Sequence, residues 1–405
     1  MASEAIAVPT FIHDIAIEGL WRTKPSVVLR ELPFTSGTIV DPAACRLGLT
    51  RLWNLGIFSR VAGRIETRRP DASSTATRTV LVLILEERWT LNLLISFGSG
   101  GNASWLRLGL ADSNVLGRYV ELGALYERFG SHHGGLVWCK DPRFLDRRLD
   151  LQVTAERLVR PRPAYAVLRT RARIDAGGLL DADRWRISGS VDVVQDRFLD
   201  ATGLNDVRPG FQAVVAEHAW RRGRVDVVRI RQTGASAEVR AVVGKSLRGE
   251  PTWLAVTSDV LAYAAPGSDW NLALRAHAGL QGKATPEHLR LHLGGLQHVR
   301  GHPDNALRTR AWLLVNAELR WTAWDSTWLA VVPTAFVDTA VVALAENPRA
   351  SGPAPTWLAG VGAGVRLLVP RAVRTGLRVD AAVPFDDLRG AGRGIGLSIG
   401  VFQFF

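Results

Sequence analysis

From residue 89 to residue 405, apolar and polar residues alternate one by one within successive stretches, and this period of two restricts the fold more than any other feature. The stretch RLDLQVTAERL (148–158) places leucine, valine and alanine on one face and aspartate, glutamine, threonine and glutamate on the other. RWRISGSVDV (184–193) and TGLRVDAAV (375–383) repeat the pattern. Because successive side chains of a strand point to opposite faces, each stretch predicts a β-strand with one apolar and one charged face.

Strands of this kind occur both in soluble β-sandwiches and in transmembrane β-barrels. The predicted strands run to about ten residues, whereas strands of soluble proteins usually have about five or six. About three hundred residues carry the pattern without an intervening helix, which is more than one sandwich needs. We therefore favour a membrane all-β fold, an antiparallel transmembrane barrel whose closure leaves no unpaired backbone in lipid.

Residues 10–88 have a different pattern, which predicts a small α+β domain with the order strand, helix, helix, strand, strand. FIHDIAIEGL alternates and predicts the first strand, and KPSVVLREL has apolar residues at helical spacing. Asp41 and Pro42 predict the start of the second helix, and Gly56 predicts its end. IFSRVAGRIET and TVLVLILEER predict the last two strands.

Composition limits the classes of partner. Lys+Arg exceeds Asp+Glu by 50 − 38 = 12, a balance typical of proteins that bind nucleic acid or anionic membranes. The arginines are spread along the chain without a compact basic cluster, so we expect no nucleic-acid partner. The 14 tryptophans, against 4 tyrosines, favour a membrane interface. Cys45 and Cys139 lie in different predicted domains and predict neither a disulfide nor a metal site.

The sequence predicts no helical membrane anchor. No segment reaches about 18 uninterrupted apolar residues. The N-terminal stretch MASEAIAVPTFIHD lacks a basic region and an adequate apolar core, so it is not predicted to be a signal peptide. The chain is expected to be either cytosolic or a mature form without its signal peptide, and the alternation after residue 89 favours the second.

Motifs in both regions resemble a known family. Residues 10–88 resemble a POTRA domain through LRELPF, Gly37, Asp41 and LGIF. Residues 89–405 resemble the barrel of the BamA/TamA superfamily, which comprises outer-membrane assembly and translocation barrels. The match rests on the order and spacing of WTLNLLISFGSGG, WLRLGLADSNVLGRYVELGALYERF, DPRF, VRGH, AWLLVNAELRW, PTAFVDTA, LRVDAAVPF and GLSIGVFQFF.

The resemblance implies about sixteen antiparallel strands. FQAVVAEHAW (211–220) is assigned to a loop, because an extracellular loop 282–309 requires an odd number of strands before it. The predicted strands are 89–98, 102–110, 118–128, 133–140, 148–158, 164–174, 183–193, 225–233, 236–247, 252–264, 270–281, 310–321, 327–339, 357–369, 374–384 and 393–405.

The resemblance also assigns a role to the loop 282–309. Its motif residues match the family's Val-Arg-Gly-Phe with histidine in the last place: Val299, Arg300, Gly301 and His302. In the family this loop folds back into the lumen, and its arginine pairs with acids on the barrel wall. The candidates here are Glu318 and Asp338, which alternation places on the polar faces of their strands. The alternative is a solvated loop arginine.

A further implication is a seam at which the first and last strands close the barrel. If pairing there is weak, as nearby glycines favour, the seam can open sideways and accept a client strand. The predicted seam residues are Leu93, Ile95, Gly98, Ile399 and Val401. The predicted C-terminal signal comprises Gly400 and the terminal aromatic Phe405.

Three shorter motifs do not change this interpretation. GLSIG (396–400) matches the hydrolase pattern G-x-S-x-G, but that pattern requires a following helix and a later histidine. His288, His292, His298 and His302 lie in predicted strand and loop, which favours surface or lumen positions over a metal site. GVGAG (360–364) lies within a predicted strand, where it favours close packing or a bend over phosphate binding. We expect no catalytic residue, metal or cofactor.

The implied function is membrane insertion of other proteins. We expect a bacterial outer-membrane factor, with residues 10–88 in the periplasm, that captures unfolded client proteins by strand pairing and inserts them through the seam. An alternative is a secretion channel that moves one dedicated partner through its lumen, and a third is a barrel that anchors or displays another protein. The expected partners are client proteins, outer-membrane lipid and periplasmic accessory proteins.

Overall fold

The chain forms two compact units. The computed structural model describes residues 7–69, 77–100, 103–162, 165–180, 185–199, 210–228, 230–326, 328–343, 345, 357–369, 375–384 and 395–403. The first unit comprises Met1–Leu93, Leu110–Gly123 and Cys139–Arg148, and the second comprises Leu94–Gly109, Ala124–Trp138 and Leu149–Phe405. Among the described residues, no helix is long and apolar enough to cross a membrane.

The N-terminal part of the first unit is a small α+β module. Its elements are β1 (Thr10–Ile12), β2 (Asp14–Glu18), α1 (Pro25–Leu29), β3 (Thr38–Val40), α2 (Pro42–Asn54), β4 (Phe58–Arg68) and β5 (Arg78–Glu87). In the main sheet, β2 runs parallel and β4 antiparallel to the central strand β5. The predicted first strand divides at His13, because that residue bonds to Thr79 through its backbone N–H and its ring. β1 therefore leaves the main sheet and pairs with β3.

Helix α2 begins and ends where the sequence predicts. The Asp41 carboxylate accepts a hydrogen bond from the Ala44 N–H at 2.6 Å, and Pro42 occupies the first helical position. Gly56 follows the last turn with a φ of +72°, which is strained for other residues. The core consists of buried side chains from the helices, the sheets and their connections: Ile12, Val27, Val28, Leu32, Val40, Cys45, Leu49, Leu52, Leu55, Ile57, Phe58, Val61, Leu81, Leu83 and Leu85.

Two similar turns complete the first unit, in DSNVLG and DPRFLD. The aspartate that opens each turn accepts the backbone N–H of the second residue after it, Asn114 at 3.0 Å and Arg143 at 2.9 Å. The side chains of these two residues contact the module. Asn114 donates to the Thr23 hydroxyl at 2.9 Å, and Arg143 donates to both carboxylate oxygens of Glu31 at 2.6 and 3.1 Å.

The remaining strands form a closed antiparallel barrel of sixteen long strands. Those before the long loop are β6 (Leu91–Gly100), β7 (Ala103–Asp112), β8 (Glu121–Phe129), β9 (His132–Asp141), β10 (Leu149–Pro161), β11 (Ala166–Leu180), β12 (Trp185–Leu199), β13 (Phe211–Val228), β14 (Arg231–Ser246), β15 (Trp253–Ala264) and β16 (Trp270–Gln281). The loop itself holds β17 (Leu291–Leu293) and β18 (Leu307–Thr309). The strands after it are β19 (Ala311–Trp321), the two-residue β20 (Trp324–Asp325), β21 (Ala330–Ala343), β22 (Trp357–Val369), β23 (Thr375–Pro384) and β24 (Gly396–Gln403).

Ring order follows chain order, and β24 returns to pair with β6. β12 and β13 pair over twelve residues, from Trp185–Arg222 to Asp196–Phe211. In the part of the chain that the structure describes, β24 and β6 pair over only three residues. The pairs are Ile399–Ser99, Gly400–Gly98 and Val401–Phe97.

The prediction for residues 211–233 is wrong. β13 runs without interruption from Phe211 to Val228 and pairs with both of its neighbours, so 211–220 is strand and not loop. The predicted strand 225–233 is not a separate strand, because its described residues belong to the end of β13 and the start of β14, which pair as a hairpin. The charged run RRGR hides the alternation near that end, where Gly223 takes a φ of +88°. Eleven barrel strands, β6 to β16, still precede the long loop. The two errors cancel in this count, because the strand at 211–220 was not predicted and the predicted strand 225–233 is not a separate one.

The outer face of the barrel strands is apolar and the inner face is charged, as a membrane environment requires. On β12, Val191 and Val193 are 54% and 55% exposed, whereas the alternate residues Asp192 and Asp196 are buried. β21 repeats this pattern with exposed Val337. A soluble sandwich would bury the apolar face and expose the charged one, so the structure excludes that alternative.

Candidate functional site in the barrel lumen

The loop between β16 and β19 carries the arginine around which the site is built. Arg300 is only 5% exposed, so it is not a solvated loop side chain. The next residue, Gly301, has a φ of +91°, and a Cβ there would lie 3.0 Å from the backbone nitrogen of Pro384. A side chain at that position would be both strained and crowded. His302 is also buried, and its ring contacts the Ala359 carbonyl oxygen at 3.1 Å.

Asp338 on β21 is the main partner of Arg300. Its Oδ2 accepts the Arg300 Nε at 2.6 Å and the Arg300 backbone N–H at 3.0 Å, and its Oδ1 accepts Nη2 at 2.8 Å. Asn316 on β19 donates to the same Oδ1 at 2.8 Å and to the His298 carbonyl at 2.7 Å. Asp338 is fully buried, so this two-point geometry compensates a charge that would otherwise be costly to desolvate.

Glu318 and Asp380 complete the carboxylate wall. Arg300 Nη1 lies 2.7 Å from Glu318 Oε1 and 3.5 Å from Asp380 Oδ2. Arg366 on β22 bonds to both of these acids. Arg320 pairs with the other oxygen of Glu318 at 2.7 Å. Together with Asp338, these acids and arginines form a network that spans the four neighbouring strands β19, β21, β22 and β23 and fixes the loop to the wall.

Glycines on β22 make room for this arrangement. A Cβ on Gly360 would overlap the Arg300 carbonyl oxygen, one on Gly362 would overlap the Phe336 ring, and one on Gly364 would overlap the Asp380 carboxylate. The Arg300 guanidinium carbon lies 3.5 Å from the centre of the Phe336 ring, a cation–π contact. The GVGAG stretch thus serves close packing, as predicted.

Sequence reasoning named part of this cluster. The structure brings together the motif residues, including fully buried Val299, with Glu318 and Asp338. It adds Asp380 and Arg366, which the sequence analysis did not assign to the site. Alternation offered a signal for both, since each lies on the polar face of its strand. Only the ring closure shows that β22 and β23 reach the loop arginine.

At the seam, three of the predicted residues lie in the paired stretch: Gly98, Ile399 and Val401. Leu93 and Ile95 lie nearer the start of β6, outside the three pairs described. Gly400 pairs with Gly98, and Phe405 lies outside the described residues. The Ser96 hydroxyl donates to the Val401 carbonyl at 2.8 Å. A cavity of about 260 Å³ adjoins the seam, and Trp105, Arg107, Arg378 and Leu296 contribute to its lining.

The four loop histidines have separate partners. His288 contacts Asp196, whereas His292 and His298 contact the Arg290 and Gly294 carbonyls. Burial lowers the pKa of His298 to about 4, so its ring is neutral at pH 7. Within the described residues, no group of three or more His, Cys, Asp or Glu side chains is arranged to hold a metal ion. The GLSIG stretch lies on β24, a strand and not a strand-to-helix turn.

No family model and no curated protein matches this chain. Solved structures do. BamA from Haemophilus ducreyi lacking POTRA domains 1–3 has a TM-score of 0.72 at 17% identity, covering 97% of this chain and 84% of that one. CdiB from Acinetobacter baumannii has a TM-score of 0.67 at 14% identity, covering 97% and 74%, and CdiB from Escherichia coli has 0.62 at 13%, covering 96% and 76%. The chain therefore has the fold of the BamA and CdiB barrels.

Proposed function

We propose that this protein is an outer-membrane assembly factor that inserts client proteins through the seam between β6 and β24. The observation that carries the proposal is a barrel closed by three described residue pairs, with a loop arginine bound to the wall strands β19, β21 and β23, which precede β24 in the ring. The other pairs of long strands from β10 to β24 are joined over eight or more residues, so among these junctions the seam is the one that opens at least cost.

Several features support a position in a bacterial outer membrane. The lipid-facing side of the strands is apolar, as described above. Six exposed tryptophans lie at or near the strand ends remote from the long loop: Trp185, Trp220, Trp270, Trp321, Trp324 and Trp328. Tryptophan at that depth is typical of a membrane interface. As the resemblance implies, this end would face the periplasm, and the loop 282–309 would face the exterior.

We further propose that the N-terminal module is a POTRA domain that captures clients. Apart from the short strands β1 and β3, its elements follow the order strand, helix, helix, strand, strand that the sequence predicts, and its three-stranded sheet leaves β2 and β4 as edges. An unfolded client strand can add to such an edge through main-chain hydrogen bonds, which tolerate many sequences. Accessory proteins of the periplasm would bind the same module.

The second candidate function is a secretion channel for one dedicated partner. The structural similarity to CdiB supports secretion as much as the similarity to BamA supports insertion, because this chain has similarly low sequence identity to the two proteins. A lumen cavity of about 680 Å³, lined by Arg160, Arg171, Glu217 and Trp312 among others, is compatible with this reading. A channel would require the loop to leave the lumen.

Folding of a urea-denatured outer-membrane protein into liposomes distinguishes the two. Liposomes that contain this protein should fold the client several times faster than empty ones, and the Arg300→Ala variant should lose that acceleration. A chain with Arg224→Ala, which removes an exposed arginine, serves as the matched control. No acceleration, together with large conductance across a planar bilayer, would instead establish the channel.

A further inference from the structure

The loop 282–309 contacts the barrel wall at a second place, distant from Arg300. His288 is 7% exposed, and its Nε2 lies 3.0 Å from Oδ2 of the fully buried Asp196 on β12. Its ring packs edge-on against Phe198 at 5.0 Å and Phe211 at 4.8 Å. The imidazole is therefore fixed by one polar and two aromatic contacts, all from the wall.

The wall side of this contact is preorganised. Arg169 on β11 donates to Asp196 through Nε at 2.8 Å and Nη2 at 2.7 Å, one nitrogen to each oxygen. The carboxylate thus has its counter-charge within the wall, and Oδ2 keeps capacity to bind the loop histidine. Nearby, Arg162, which directly follows β10, donates through Nη1 to Asn305 Oδ1 at 2.8 Å, a further bond to the loop.

The apolar residues of the loop divide between the same two places. Leu293, Val299, Ala306 and Leu307 pack with β19, β21 and β22, next to the Arg300 network. Ala284 and Leu289 pack instead with a cluster built on Phe211 and Trp253. Each polar contact is therefore surrounded by its own apolar cluster.

The two places lie on opposite sides of the barrel. In the ring of sixteen long strands, β23, which carries Asp380, is eight positions from β12, which carries Asp196. β21, which carries Asp338, is six positions from β12. The loop consequently crosses the lumen from one wall to the other.

We propose that His288, Asp196 and Arg169 form a second anchor, independent of Arg300, which holds the loop across the lumen as a strap fixed at both ends. His288 is the positioning residue of this anchor. Either anchor alone keeps the loop in the lumen, and the lumen opens only when both are released. The inference depends on the barrel and not on the choice between insertion and secretion.

Amide hydrogen exchange of the detergent-purified full chain tests the anchor directly. His288→Ala should accelerate exchange in residues 284–291 by about tenfold or more, with little change at 298–302, and Arg300→Ala should do the reverse. His288→Gln, which keeps an N–H donor of similar reach, should restore protection. His292→Ala is the matched control, because it removes an equally buried loop imidazole whose bond is to a carbonyl within the loop.

Planar-bilayer conductance gives the second readout. Each single variant should stay within about twofold of wild type, and His288→Ala/Arg300→Ala should exceed the product of the two single effects. The proposal is overturned if His288→Ala leaves exchange at 284–291 unchanged or accelerates both segments equally. It is also overturned if the control variant has the same effect, or if the double variant conducts no more than Arg300→Ala.

Discussion

At the scale of single residues, the lumen site is a problem of charge burial. Arg300, Asp338 and Asp380 are all at most 5% exposed, so each charge depends on its partners for compensation. The bidentate bond to Asp338 uses the planar fork of the guanidinium, which a lysine ammonium does not reproduce. The loop therefore specifies arginine by geometry as well as by charge.

Removing this side chain should be far more costly than removing an exposed arginine. Arg300→Ala leaves Asp338 buried without its main counter-charge, which should lower the free energy of unfolding by about 3–5 kcal/mol. Arg224 pairs with Asp226 at the surface, with 75% and 51% of the two side chains exposed, and Arg224→Ala should cost less than about 1 kcal/mol. Urea unfolding in micelles measures both. Equal losses would show that the lumen pair contributes no more than a surface pair.

Gly360 and Gly189 provide a matched test of close packing. A methyl group on Gly360 overlaps the Arg300 carbonyl, whereas on Gly189, which lies on the outer face of β12, the nearest heavy atom is 3.6 Å away. Gly360→Ala should therefore displace the loop and destabilise the protein by about 1–3 kcal/mol. Gly189→Ala should be neutral or slightly stabilising. Thermal unfolding that ranks the two variants the other way would contradict the assigned packing.

At the scale of elements, the closing strands pair over fewer residues than the other long barrel strands from β10 to β24. β23 and β24 pair over eight residues, and β24 and β6 over three. Glycine on both sides of the seam removes side-chain contacts: Gly98 faces Gly400 directly. A Cβ on Gly98 would lie 2.7 Å from the Trp105 indole, so the neighbouring strand requires this glycine. Weak closure is thus built into the packing of β6.

A disulfide across the seam tests whether opening is required. Ser99 and Ile399 are paired and exposed, so Ser99→Cys/Ile399→Cys in a Cys139→Ser background should lock the ring and abolish client folding until a reductant is added. Val193 and Val214, an exposed pair between β12 and β13, give the control lock, which should leave folding unchanged. Full activity of the oxidised seam variant would exclude lateral opening as the route.

At the scale of the whole molecule, the distribution of polarity decides the environment. The barrel encloses arginine–carboxylate networks and presents valine, leucine and isoleucine outward, the reverse of a soluble protein. The enclosed charges are paired between strands, for example Arg173 on β11 with Asp192 on β12 and Glu217 on β13. Such a molecule is stable only where its exterior faces lipid.

Charge placed on the exterior should be penalised according to depth. Val337 lies near the middle of β21 and is 46% exposed, so Val337→Arg should cost about 2–4 kcal/mol on folding into lipid. Leu329 precedes the same strand at its interfacial end, and Leu329→Arg should cost about 0–1 kcal/mol. Folding of each variant into liposomes over a series of urea concentrations measures both free-energy costs. A similar cost at the two positions would mean that no lipid core surrounds β21.

The sequence alone determined the class of fold, because a period of two is a local property that survives any tertiary arrangement. It also determined the limits of α2, whereas the odd number of strands before the long loop followed from the family resemblance. It failed at 211–233, where charged residues at the end of β13 break the local period and only pairing with β12 and β14 reveals the strand.

Tertiary structure decided which charges meet. Alternation places Asp338, Asp380 and Asp196 on polar faces alike, and nothing local distinguishes the acids that bind Arg300 from the acid that binds His288. That distinction depends on where each strand stands in the closed ring and on which wall each part of the loop reaches. Ring closure joins β24 to β6 across more than three hundred residues of chain, a separation at which sequence patterns carry no pairing information.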